Sequence, residues 1–212
     1  MEPIYQADFE VSERDVDCYG RLRPSMILFY AQQVAGMHST ELTVGYDVLA
    51  RQRMFWAVTR HKVQVSRIPR LGETIHIETW PMPTTRVAYP RSMVAYDKQG
   101  NELFRSISLW VLMDLDTRNM ILPGKSGIAV TGSLRGTELA IPQSLAPGRL
   151  RNSRERTVCY TDLDRNGHMN NAAYLDAVEP MLPEEVRGRE LRAIAVDYEH
   201  EILPGRHAAV RA

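Results

Sequence analysis

The sequence predicts an α+β fold in which a long helix is wrapped by a curled antiparallel sheet, present in two copies, the second short of its last strands. Two observations lead there. A strand-like run is followed by a largely apolar helix and then by four strand-like runs separated by turn residues. Two stretches of the first half also recur, in the same order, in the second.

IYQADFEV (4–11) places Tyr5, Ala7, Phe9 and Val11 on one face at period two, the pattern of a half-buried strand. After the turn DVDCYGRL, Pro24 opens a helix through SMILFYAQQVAGMHS, because a first turn has N–H groups to spare. Ile27, Leu28, Ala31, Val34 and Ala35 recur at helical spacing and Tyr30 widens the stripe, so most of this helix is covered by other structure. WAVTRHKVQV (56–65), TIHIETW (74–80), RVAYPRSMVAYD (86–97) and LFRSISLWVLMD (103–114) alternate with LGE, PMPT and DKQGNE, as antiparallel strands alternate with turns. A helix lying across such a sheet buries the apolar face of both, the arrangement called a hotdog. From about Arg118 to Asn152 proline and glycine interrupt any period, and a connecting segment with a short helix is expected. ERTVCY (155–160) then restarts the strand pattern. The chain divides into a first unit 1–124, a connecting segment 125–152 and an incomplete second unit 153–212.

The repeat aligns VDCYGRLRPSMIL (16–28) with LDRNGHMNNAAYL (163–175), and VQVSRIPRLGETIHI (63–77) with VDYEHEILPGRHAAV (196–210). Asp17 falls over Asp164, Gly20 over Gly167 and Gly72 over Gly205. The copies differ where polar groups count: Cys18, Tyr19 and Arg21 face Arg165, Asn166 and His168, and Ile68 faces Glu201. One scaffold with one equipped half is the reading. The second copy stops just after the counterpart of GETIHI, which leaves an open sheet edge to be expected.

TDLDRNGHMNN (161–171) also matches the start of an EF-hand loop, with Asp162, Asp164 and Asn166 at positions 1, 3 and 5 and Gly167 at 6. The bidentate Glu of position 12 is Ala173, the preceding element reads as a strand, and no second loop pairs with it. No metal and no bound cofactor are expected. The 26 basic and 26 acidic residues balance, which argues against a nucleic-acid binder. All basic residues except Lys62, Lys98 and Lys125 are arginine. Two cysteines, Cys18 and Cys159, are too few for a disulfide framework and read as buried small residues. MEPIYQADFE is too polar for a signal peptide, and no apolar run reaches the ~20 residues of a membrane helix, so a cytoplasmic protein is expected, with no membrane partner.

DLDRNGHMNNAAYL (162–175) resembles the D-x-N-x-H-x-N-N-x-x-Y signature of the acyl-acyl carrier protein thioesterases, the double-hotdog hydrolases that end fatty-acid synthesis. The resemblance extends to FWAVTRHKVQVSRIPRLGETIHIETWP and SLWVLMDLDTRNMILP in the first half, and to DYEHEILPG in the second. It implies a catalytic set of Asp164, Asn166, His168 and Glu201. Histidine exchanges protons near neutrality, Asn166 would donate to the thioester oxygen, Asp164 would orient Asn166 or His168, and Glu201 would activate water. The residue after Glu201 is Ile202, so no cysteine nucleophile stands there. Glu199 shares a face with Glu201 at period two and is its nearest rival. The turn precedes a helix through MNNAAYLDAV whose N-terminal N–H groups are expected to help hold an oxyanion. Trp56, Met54 and Met26 are candidate acyl-tunnel residues. Arg149, Arg151, Arg154 and Arg156 are candidates to meet an acidic carrier protein or its phosphopantetheine. The implied activity is release of free fatty acid from acyl carrier protein by water. An acyl-CoA thioesterase and a non-catalytic acyl- or carrier-binding hotdog remain open, as do a monomeric pseudo-dimer and a homodimer.

Overall fold

A computed structural model describes residues 4–146, 148, 153–187 and 189–211. Strand β1 (Tyr5–Glu10) alternates half-buried and exposed side chains as the sequence predicts. Helix α1 (Pro24–Glu41) begins with Pro24 in its first turn and ends where the Leu42 N–H turns back to the His38 carbonyl at 2.9 Å. It buries Ile27, Leu28, Tyr30, Ala31, Val34 and Ala35, all of the expected stripe. Taking Ile27, Leu28 and Val34 out of water contributes about 1.5–3 kcal/mol apiece. Helix α2 (Tyr46–Arg51) follows, then strands β2 (Met54–Val65), β3 (Thr74–Pro81), β4 (Tyr89–Tyr96) and β5 (Glu102–Asp114), one for each of the four predicted runs. Strand β6 (Met120–Ile121) turns back on β5, and α3 (Pro123–Ser126) is the short helix of the connecting segment. Beyond it the chain runs over the surface without repeating structure. Gly132 is needed there, because a Cβ would stand 2.1 Å from the backbone of Met82.

In the second half come β7 (Ser153–Thr157), α4 (Ala173–Val178), α5 (Glu184–Arg187), β8 (Ala193–Asp197) and β9 (His207–Arg211). The main sheet runs β1-β3-β4-β5-β2-β8 with β6 off β5, while β7 and β9 form a separate pair. Strand β8 pairs antiparallel with β2, and Lys62 lies opposite Ala195. Those two residues are also counterparts in the repeat, so a local two-fold axis passes between them.

The hydrogen bonds bear the repeat out. The Val11 N–H meets Glu73 O at 2.9 Å and the Val158 N–H meets Arg206 O at 3.0 Å; Leu22 meets Pro69 O and Met169 meets Ile202 O, both at 2.9 Å. Asp17 N–H reaches Arg21 O at 2.8 Å, and Asp164 N–H reaches His168 O at 2.9 Å. Gly20 and Gly167 close these turns at φ 68° and 81°, a left-handed conformation that glycine adopts without strain.

The copies part after the turn. Where α1 runs for 18 residues, α4 stops after six. Pro180 and Pro183 lack the N–H a continuing helix needs, so the chain passes through a 3-10 turn at Glu179–Met181 into α5. The predicted helix through MNNAAYLDAV is thereby shortened: Met169 bridges to Leu163, and Asn171–Ala172 form a turn before α4 begins. ERTVCY is likewise strand only to Thr157. In the first half β4 and β5 carry β3 across to β2; among the described residues no strand joins β9 to β8.

Candidate active site

The site starts from a wired turn. A 3-10 turn at Tyr160–Asp162 is capped by the Asp162 carboxylate, which accepts the Cys159 N–H at 2.9 Å and Arg156 at 2.5 Å. The Asp164 carboxylate accepts the Asn166 N–H at 2.8 Å and its side-chain amide at 3.4 Å. These oxygens are spent on the turn itself, and among the described residues no group of three or more His, Cys, Asp or Glu is placed to hold a metal ion.

His168 is buried, its ring 5.7 Å from that of Phe55. Its Nε2 lies 3.1 Å from Glu201 Oε2, and its Nδ1 lies 3.6 Å from Asp164 Oδ1, beyond hydrogen-bond length. The structure thus gathers all four predicted residues, with His168 at the centre and Glu201 at the mouth, 36% of its side chain exposed. Glu201 sits on the irregular segment after β8 rather than on a strand. Glu199 lines the same cavity and makes no hydrogen bond to His168.

A fifth polar group was not anticipated. Arg118, from the β5–β6 turn of the first half, places Nη1 3.4 Å from Glu201 Oε2 and 3.3 Å from His168 Nε2, with its guanidinium 5.0 Å from the centre of the Phe55 ring. Nothing local in DTRN marks it; only the fold brings it there.

Two cavities meet at this turn. One of about 650 Å³ runs between α1, α2 and the sheet, lined by Phe29, Met37, Trp56, Tyr89 and Trp110 among others. Its one buried cation is Arg91, which contacts His38 Nδ1 at 3.0 Å and Thr79 Oγ1 at 3.3 Å, and which burial pushes down to about 10. The other, of about 420 Å³, is lined by Phe55, Arg118, His168, Tyr174, Tyr198 and Glu201. Burial raises the phenols of Tyr174 and Tyr198 above their ordinary range. Trp56, Asp164 and Asn166 line both cavities.

Other expectations divide. At the end of the short α4, Asn170 N–H goes to Asp162 O at 2.7 Å, and the N–H groups of Ala172 and Ala173 go to Asn170, each at 2.9 Å, so these three are engaged within the turn. Cys18 and Cys159 are exposed, not buried, and neither lines either cavity. Trp56 is a lining residue as predicted. Met54 belongs instead to a buried cluster with Leu49, Tyr89 and Leu112, and Met26 packs on the main core. Of the basic run, Arg149 and Arg151 lie outside the described residues, Arg154 is exposed, and Arg156 is held by Asp162. Among the described residues no helix is long and apolar enough to cross a membrane.

A family model described as the acyl-ACP thioesterase N-terminal domain matches residues 2–122, and one described as the C-terminal domain matches residues 147–210. The oleoyl-acyl carrier protein thioesterase 1 of Arabidopsis thaliana, a chloroplastic protein, is 24% identical over 220 aligned positions, covering 93% of this chain and 60% of its own length. The palmitoyl-acyl carrier protein thioesterase of Gossypium hirsutum is 27% identical over 166, covering 72% of this chain and 40% of its own. The chain thus spans about half the length of these curated relatives. Among solved structures, an acyl-ACP thioesterase from Bacteroides thetaiotaomicron superposes with a TM-score of 0.86 at 23% identity, over 97% of this chain and 84% of that one. The 12:0-ACP thioesterase from Umbellularia californica gives 0.81 at 21%, over 98% and 86%. These likenesses establish the double-hotdog fold.

Proposed function

The chain belongs to the acyl-ACP thioesterase family, and from that premise we propose that it hydrolyses the thioester of fatty acyl-acyl carrier protein to free fatty acid and carrier. The observation that carries this reading is the shared wall of Trp56, Asp164 and Asn166 between an apolar cavity and a polar one. An acyl chain fits the apolar side, water the polar side, and the thioester the waist between them.

At the waist, Glu201 takes a proton from water as its oxygen bonds to the carbonyl carbon. An amide carries two N–H donors, so Asn166 can keep one on Asp164 and give the other to the oxyanion. When the C–S bond breaks, His168 passes the proton held by Glu201 to the departing sulfur, leaving acid and thiol. Asp164 fixes Asn166 through two contacts. No side-chain nucleophile is needed.

The β2–β8 pairing supplies within one chain a two-fold contact, which supports a monomeric pseudo-dimer. Of the two described members of the basic run, Arg154 is the exposed one that an acidic carrier would meet. Thiol release from a panel of acyl carrier proteins and matching acyl-CoAs tests the reading, with His168→Ala and Glu201→Gln beside the parent. Fast release from the carrier esters, abolished by both substitutions in folded protein, is expected. A folded protein that releases no thiol overturns the assignment, and equal rates on CoA esters move it to an acyl-CoA thioesterase.

A further inference from the structure

The geometry points to Arg118 as a positioning residue for this hydrolysis, a role that rests on the thioesterase reading: from the first half of the chain it fixes the Glu201 carboxylate against His168. Three observations converge. Arg118 has φ 57°, a left-handed conformation that non-glycine residues rarely hold unless their surroundings impose it. Those surroundings are over-determined. The Asp114 carboxylate accepts the N–H groups of Asp116 at 3.0 Å and Thr117 at 2.7 Å, and the Arg118 N–H meets Asp114 O at 3.0 Å. Leu115 N–H reaches Arg53 O at 2.8 Å, and the Arg53 guanidinium holds Asp116. The turn therefore aims one side chain.

That side chain then meets Glu201 on the oxygen that also faces His168. Glu201 stands on irregular backbone, half open to water, and its side-chain partners among the described residues are His168 and Arg118. Both contact the same oxygen, Oε2. A carboxylate so exposed loses rotamer freedom only if held. A guanidinium holds it well, because it is a rigid planar group and lies over the Phe55 ring. Fixing the base in place is the kind of orientation whose loss by about 1 Å costs on the order of 10²-fold in rate.

Thiol release is measured for the parent, Arg118→Met, Arg118→Lys, Arg118→Gly, Glu201→Gln and the Arg118→Met/Glu201→Gln double variant. Arg118→Met is expected to lower kcat by about 10²-fold with KM unchanged, and Arg118→Lys to recover part of it. Arg118→Gly, which relieves the left-handed backbone, folds at least as well as the parent yet is as slow as Arg118→Met. The double variant is no slower than Glu201→Gln, since Arg118 acts through that carboxylate. A parent-like Arg118→Gly, or losses that multiply in the double variant, overturns the assignment. If the parent itself releases no thiol, the thioesterase reading fails separately. The contact is still decided by the ¹³C carboxyl signal of Glu201, identified by its loss in Glu201→Gln: it moves in Arg118→Met if the contact exists and stays if it does not.

Discussion

The turns at Val16–Leu22 and Leu163–Met169 share a backbone and differ in what they carry. Each has a bridge across its mouth, a left-handed glycine and an aspartate bound to its own backbone. In the first, Asp17 is locked by Arg21, with a 2.8 Å ion pair. Burial would raise the Asp17 carboxyl, but hydrogen bonds from Arg21 and Tyr19 outweigh it and hold it below the usual range. In the second, His168 replaces Arg21 and faces Glu201, whose counterpart Ile68 packs on the core. The first turn satisfies its polar side chains within itself, whereas the second adds a histidine that lines a cavity. The lesson is that a repeat fixes where a site can stand, while a few substitutions decide which copy has it.

The largest test of that difference is on rate. Asn166→Ala removes the amide proposed as the oxyanion donor and is expected to slow turnover by about 10²–10³-fold, whereas Tyr19→Ala at the matching position leaves turnover unchanged; steady-state thiol release checks both. The helices give the next contrast. Leu28 is 2% exposed within α1, and Leu28→Ala should cost about 2–5 kcal/mol in urea unfolding. Its counterpart Leu175 is half-buried in the shorter α4, so Leu175→Ala should cost visibly less. Equal costs would mean that the second helix is packed as fully as the first.

A smaller contrast lies across the local two-fold axis, where His61 of β2 is the counterpart of Ile194. His61 is buried, and burial pushes it down to about 4. The unfolded chain takes up a proton below ~6.5 and the folded chain does not, so stability falls as pH drops from about 6.5 to 4, by roughly 3 kcal/mol. His61→Ile copies the second half and should flatten that dependence, read as urea midpoints at pH 7 and pH 4.5.

Much of this was legible in residue order. Helix α1 is visible in its apolar stripe and Pro24, and strands β1 to β5 in alternation and turn residues, because each is set by neighbours in sequence. The turn at Asp164–His168 is visible because its bonds are local. Three features were not. The early end of α4 had a signal, Pro180 and Pro183, which a matching apolar run outweighed. The exposure of Cys18 and Cys159 depends on which way a turn faces, which composition does not record. Arg118 reaches Glu201 across 83 positions of sequence, through a hairpin whose direction only the folded sheet determines.

The central claim, one armed half on a duplicated scaffold, is tested most directly by thiol release from acyl carrier protein in His168→Ala and Arg21→Ala, both confirmed folded. The account predicts that His168→Ala loses about 10²–10⁴-fold in kcat while Arg21→Ala keeps the parent rate. Comparable losses in the two variants would contradict it.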